Sequence, residues 1–485
     1  MGIHINEISP TYPWGFSQNS SGGGDTPSPD PPIPPTPPGP DPPVPPSEQV
    51  LYSFRINGDS SVDYLDDAEG MDAVTNSNGY VDLGEWADAF FMPKPCMLKY
   101  DGTVDYYLDS NDYTKKVDGT ASDVSAANYE GNAMMEWPLI WFKYEYTDST
   151  NLFHVANYQV DDTYHCWCNI DSENNITPHF YTSIYDCGNL YSDGVLRSLS
   201  GRTTSNANGF GNATMSNDAA YAVANNTTNA VEWYIGVYSD KILIDALLVL
   251  LCKSKNIQNI LGMGLSADNK SYLENKVTGS LNDKGLFYGS TSSSTAPCKV
   301  FGMENYYGGY GQRIAGCLVT DYTKENTADT GIAKRYVKLT YGTADGSTIN
   351  GYITDISSIS DWENTGYIYY GSMSRLLKVG TTTDGYDISH VMAISKIVFN
   401  ERGYKPSSGT VDTSSAFVSA VAYSWGVLAY AGNVYGTYGG FDSGTAYPNG
   451  GARAMGPLGF YSKSSGAIST VAARLSCKPL ASRFS

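Results

Sequence analysis

Apolar positions along this chain of 485 residues fall in short runs separated by Gly, Asn, Asp, Ser and Thr. Such runs predict strands more often than helices. Val50 to Ile56 reads as a strand ended by Asn57-Gly58. Met97 to Tyr100 and Thr103 to Leu108 read as a hairpin about Asp101-Gly102, a dipeptide suited to tight turns. Glu136 to Tyr144 is strongly aromatic and reads as one buried strand. His154 to Ala156 and Tyr164 to Ile170 read as further strands, as do Ile314 to Val319 and Ala416 to Ala422. Arg335 to Tyr341 and Asn350 to Thr354 form an expected hairpin around Asp345-Gly346. Thr470 to Ser476 reads as a closing strand that carries Arg474. The best helix is Lys241 to Lys253, with Ser239-Asp240 as its cap. It is apolar nearly all round, so it is expected to be buried against a sheet. A short helix is expected around Asp218 to Ala224. The pattern predicts an α+β, loop-rich fold of short antiparallel strands and few helices.

Residues 1–18 precede this pattern and differ from it. Ile3 and Ile5 alternate with polar residues, and Tyr12, Trp14 and Phe16 follow among prolines. A peptide this short has no core of its own. Its aromatics suit anchoring in another protein's groove, or the segment is a disordered tail. Residues 19–48 are a linker, flexible at Ser20 to Gly24 and polyproline-like from Thr26 to Pro46. Extended in that form, the proline-rich stretch spans on the order of 60 Å. Residues 49–189 form the β-rich front of the head, and 190–485 its remainder.

Composition narrows the function. The net charge of −20 argues against nucleic acid, whose phosphates call for Lys and Arg, and against anionic lipid. No apolar run reaches the ~20 residues of a membrane span. The 39 tyrosines and 50 glycines are the loudest signal. Tyr, Ser, Gly and Asn are the residues of recognition loops, although Tyr also suits half-exposed strands. Cys166-Trp167-Cys168 is too tight for a zinc knuckle, and the remaining cysteines are scattered singly in apolar settings, so buried free thiols are expected. Asn76 to Gly79 with Asp82 and Glu85 imitates a calcium loop. Val74 stands where its first ligand would be, so a plain turn is expected. His165 and His179 read as core residues rather than ligands. Neither a metal nor a cofactor is expected. Met1 to Phe16 has neither the basic start nor the apolar core of a secretory signal, so export by cell lysis is the expectation.

One stretch, Val300 to Thr320, concentrates glycines, tyrosines and a Glu-Asn pair. Its Gly302, Glu304, Asn305, Tyr307, Gly308 and Gly316 follow the pattern G-x-E-N-x-aromatic-G, then G eight positions on. This resembles the central motif of the C-type-lectin-like fold. Phage and prophage tail adhesins, retroelement-diversified binding proteins and formylglycine-generating enzymes share that fold. The chain departs from the usual form near Tyr307, Gly309 and Tyr310 to Gln312, where Trp, Asn and Trp-Glu are common. Further pieces are similar to tail adhesins: Asn132 to Tyr146 with Val160 to Asn169, Leu190 to Arg202, Asn256 to Gly264, and Val471 to Leu480 with Arg474. In that fold the closing strand commonly pairs with the first.

The resemblance implies a virion tail protein, expected as a homotrimer. Ile3, Ile5, Tyr12, Trp14 and Phe16 would dock on tail or baseplate proteins. The head would grip a bacterial surface receptor, glycan or protein, through its last long loop. There Tyr423, Tyr430, Asn433, Tyr435, Tyr438, Tyr447 and Asn449 are spaced by glycines, while Trp425, Phe441 and Phe460 are expected to fill core or interface. No enzyme is expected. The chain carries none of the serine-hydrolase, zinc-protease or phosphate-loop motifs. Cys298, Cys317 and Cys477 lie far apart in sequence, unlike the reactive pair of a formylglycine-type oxidase. The alternatives are a structural tail or neck component and a fold-related enzyme such as a depolymerase.

Overall fold

A computed structural model of the chain describes residues 48–57, 61–146, 151–187, 194–202, 221–227, 231–254, 257–262, 264, 277–293, 296–307, 311–320, 332–342, 352, 368–374, 429–431 and 471–484. All of them belong to the compact unit Gly39–Ser485. Short, mostly antiparallel strands dominate, as the sequence pattern requires.

The largest sheet has seven strands. In spatial order they are Val231–Ile235, Leu475–Pro479, His179–Ser183, Gly131–Pro138, Lys94–Lys99, Val104–Asp109 and Asp112–Lys116. Every neighbouring pair is antiparallel. Strands from both sides of residue 190 therefore share one sheet. The expected hairpin at Asp101-Gly102 is present, with Gly102 at φ +79° and a register shift at Met97/Leu98.

A four-stranded sheet runs Val62–Asp66, Leu51–Ile56, Asn151–Ala156, Trp141–Tyr146. The expected strand Glu136 to Tyr144 is thus two strands in two sheets. Pro138, which has no N–H for a ladder, ends the first of them. Tyr164 to Ile170 is not a strand either. Among the described residues it makes just two isolated bridges, His165 to Phe142 and Ile170 to Ile176, and Trp167–Asn169 is a single 3₁₀ turn. Its aromatic and cysteine residues alternate like a strand while Asn169 N–H turns back to Cys166 O at 2.8 Å.

A five-stranded sheet joins Met303–Glu304, Cys298–Val300, Tyr288–Gly289, Tyr80–Asp82 and Thr75–Ser77. The last two strands form a hairpin over Asn78 and Gly79, both at positive φ. That turn is what the calcium-like spacing amounts to. A three-stranded sheet sets Gly311–Ile314 between Ala429–Ala431 and Val471–Ala473, both parallel to it. Another joins Cys317–Thr320, Ile332–Val337 and Ile368–Ser374. Both edges of Ile332–Val337 are therefore occupied. The expected turn at Asp345-Gly346 and, apart from Tyr352, the expected strand Asn350 to Thr354 lie outside the described residues. Ile314 to Val319 is likewise broken in two, at Ala315-Gly316.

Helix α1, Tyr238–Cys252, is buried along its whole length. Its apolar side chains join Phe54, Trp86, Trp137, Phe142, Phe153 and Phe301 in the main core. The cap is not Ser239-Asp240. Extended Val237 precedes the first turn without a side-chain cap, and Ser239 and Asp240 lie within the helix. Tyr238 N–H is satisfied instead by Ala315 O at 2.8 Å, and Asp240 has other partners, given below. Lys253 ends the helix at φ 48°. Helix α2, Gln258–Leu261, follows, and residues 221–223 are helical within the region expected to hold a short helix.

The closing strand expected at Thr470 to Ser476 is two strands in two sheets, Val471–Ala473 and Leu475–Pro479, and neither pairs with the first strand. Leu475–Pro479 lies between His179–Ser183 and Val231–Ile235, and Arg474 sits in the break after Val471–Ala473.

Candidate functional site

The Glu-Asn-glycine motif folds into a tight knot. Gly302 takes φ +75°, Asn305 φ +52° and Gly316 φ +85°. At Gly302 a side chain has no room as well as the wrong φ. A Cβ there would lie 2.4 Å from the Tyr113 hydroxyl and 2.6 Å from Met135 Cε, so only glycine fits without rearrangement. Gly316 lets Lys338 O approach a Cβ position to 2.7 Å.

Glu304 is buried and spends its carboxylate on one loop. Oε2 accepts the N–H groups of Gly279 at 2.8 Å and Leu281 at 3.4 Å, and Oε1 accepts Ser280 Oγ at 3.0 Å. Burial pushes its pKa up, against these hydrogen bonds. Lys299, opposite Glu304 on the neighbouring strand of the same hairpin, donates to Leu281 O at 3.0 Å. Its ammonium also lies 3.5 Å from the centre of the Tyr113 ring, a cation–π contact in a desolvated place. Burial lowers its pKa to about 7.

Arg474 reaches the same knot from the far end of the chain. Its guanidinium donates to Ser183 O at 3.0 Å, to Ile184 O at 3.3 Å and to Glu304 O. Asp186 lies 3.4 Å away as its ion-pair partner. The motif residues Gly302, Glu304, Asn305, Gly316 and Arg474 are therefore gathered in one region. Gly308 lies outside the described residues.

A second polar cluster surrounds helix α1. Lys241 Nζ contacts Asp245 Oδ1 at 3.0 Å, one helical turn apart, and Tyr306 donates to the same oxygen at 2.8 Å. Burial pushes the Asp245 carboxyl up and the Lys241 ammonium down. Asp240 accepts Lys478 Nζ at 2.6 Å and Ser476 Oγ at 2.9 Å. Lys478 also donates to Cys168 O at 2.7 Å. Sequence reasoning took Asp240 for a helix cap and Lys241 for a first helical residue, and did not single out Asp186, Asp245 or Lys478. The available signal was the presence of three charges in an otherwise apolar helix.

These groups are paired and sealed from water, so their chemistry is positional. All the cysteines but Cys317 are buried thiols. Burial raises the Cys298 thiol to about 12, against the hydrogen bond it makes with Tyr307 O. Tyr306 and Tyr307 are interior residues, the latter donating to Gly262 O at 3.0 Å. Among the described residues no group of three or more His, Cys, Asp or Glu could hold a metal ion, and no helix is long and apolar enough to cross a membrane.

Of the candidate binding residues, Tyr430 is among the described ones. Tyr430 lies in the strand Ala429–Ala431, paired through backbone with Arg313. Val471–Ala473 flanks the other side of the same central strand. The strands that flank residues 432–470 in sequence are thus the two edges of one small parallel sheet. Tyr423, Asn433, Tyr435, Tyr438, Tyr447 and Asn449 lie outside the described residues, as do Trp425, Phe441, Phe460 and the strand expected at Ala416 to Ala422. The docking candidates Ile3, Ile5, Tyr12, Trp14 and Phe16 lie outside them too.

No protein-family model, curated protein or solved structure matches the chain.

Proposed function

We propose that this chain is a receptor-binding protein of a phage or prophage tail, with a C-type-lectin-like head. In this reading residues 1–18 dock on the particle and the proline-rich linker gives reach. The head then holds out residues 423–460, whose tyrosines and asparagines contact a bacterial surface glycan or protein. The observation that supports the reading is the pairing of the strands on either side of residues 432–470. Ala429–Ala431 and Val471–Ala473, which flank this tyrosine- and glycine-rich segment, both pair with the strand that follows the Glu-Asn-glycine motif. A rigid frame beneath an adaptable, aromatic segment is the general design of a recognition surface. Three copies on one tail would raise the apparent affinity of weak single sites.

The protonated, sealed thiol of Cys298 speaks against the oxidase reading, which needs an accessible thiolate. The decisive test is binding of the full-length protein to a panel of bacterial strains. It is compared with a Tyr435→Ala, Tyr438→Ala variant of equal thermal stability. Binding to at least one strain, reduced tenfold or more by the paired substitution, is expected. Equal binding by both proteins, or adsorption to none of the strains, refutes the reading.

A further inference from the structure

The closing strand is two-faced in an unusual way. Arg474, Ser476 and Lys478, at alternate positions, are all buried and all make polar contacts on one side. Leu475 and Cys477, on the other side, join a smaller apolar cluster with Tyr181, Trp233 and Ile235. The slot that receives this strand is made by earlier parts of the chain. It comprises the edges of His179–Ser183 and Val231–Ile235, the carboxylates of Asp186 and Asp240, and the carbonyls of Cys168, Ser183, Ile184 and Glu304.

The main apolar core, by contrast, takes its buried residues from Phe54 through Tyr307 and includes none from the closing strand. Removing the strand would open that smaller cluster, in which Ala473, Leu475 and Cys477 pack with Tyr181, Trp233, Tyr234 and Ile235, and would return two carboxylates and two cations to water. Buried ion pairs roughly break even against hydration when both partners are released together. The polar side of the strand is therefore held by geometric fit more than by net energy. Among the described residues Val231–Ile235 has no other sheet partner, so it loses this ladder when the strand leaves.

We infer that the closing strand is a latch. Residues 471–480 and 231–235 open together, without unfolding of the main core, and this opening releases one end of the 432–470 segment. Local opening of cooperative units at less than the global cost is a general property of folded chains. The inference does not depend on the attachment function.

Native-state hydrogen exchange of the full-length protein, followed by mass spectrometry at increasing low denaturant, tests it. Peptides covering 471–480 and 231–235 are expected to exchange at a common rate, at least tenfold faster than peptides covering 131–138 and 51–56. Lys478→Ala should accelerate the first pair further and leave the second pair unchanged. If 471–480 exchanges only as slowly as 131–138 in the unsubstituted protein, the latch does not exist. Unrelated exchange rates for 471–480 and 231–235 refute it equally.

Discussion

Lys478 Nζ and Asp240 Oδ1 meet at 2.6 Å although 238 positions separate them in the chain. Both are buried. The pair joins the last strand to the first turn of helix α1, which otherwise has no side-chain cap.

Removing one partner of such a pair leaves a charge without compensation. Lys478→Met and Asp240→Asn should each lower unfolding stability by about 3–5 kcal/mol. The double substitution should cost less than the sum of the two. Urea denaturation of the four proteins measures the coupling, and strict additivity would show that the two residues do not interact.

Lys299 gives a pH dependence of definite sign. Its folded pKa is about 7 against an ordinary 10.5, so between these values the unfolded state holds a proton that the folded state has lost. Stability from this group is lowest below about pH 7 and rises with pH up to the ordinary lysine range. The slope is at most ~1.4 kcal/mol per pH unit. Lys299→Met should stabilise the protein at pH 6 and flatten the rise between pH 7 and 10. Thermal midpoints of variant and wild type across that range decide it.

Gly302→Ala should destabilise by about 2–4 kcal/mol. The new methyl would strike the Tyr113 hydroxyl and Met135, and φ +75° disfavours any side chain. Gly119→Ala is the control, because it has a positive φ but nothing within 4 Å of the new methyl. A loss at Gly302 no larger than at Gly119 would mean that crowding contributes nothing.

The described cysteines should resist a thiol reagent in the folded protein, since burial protonates and shields them. Ellman's reagent should modify at most one thiol, that of Cys317, before denaturant is added and all eight afterwards. Rapid modification of several thiols in native buffer would contradict the packing.

Much of the architecture was legible in local pattern. The run from Ile242 to Cys252 is apolar on every side, and burial of the whole helix followed from that. The Asp101-Gly102 hairpin rested on turn chemistry that needs no tertiary context. Misreadings came where tertiary contacts override pattern. Continuous aromatics across Pro138 hid a change of sheet, and Asp240 resembled a cap while serving Lys478. Glu304 stood out by its motif, but its partners Gly279, Ser280 and Leu281 carry no signal that a sequence could reveal. The same holds for Arg474 and the carbonyls it collects, because backbone acceptors leave no trace in composition.

Where the proline-rich segment enters the head, Asn157 holds the chain with both ends of its amide. Its nitrogen donates to Glu48 O at 3.0 Å, and its oxygen accepts Val50 N–H at 3.0 Å. The strand that begins at Leu51 is paired along both sides, to Asn151–Ala156 and to Val62–Asp66. A tug delivered from the amino-terminal side must therefore first break this clip and then tear two ladders at once. Mechanical load arriving by that route would meet a strand hydrogen-bonded on both edges rather than a free edge.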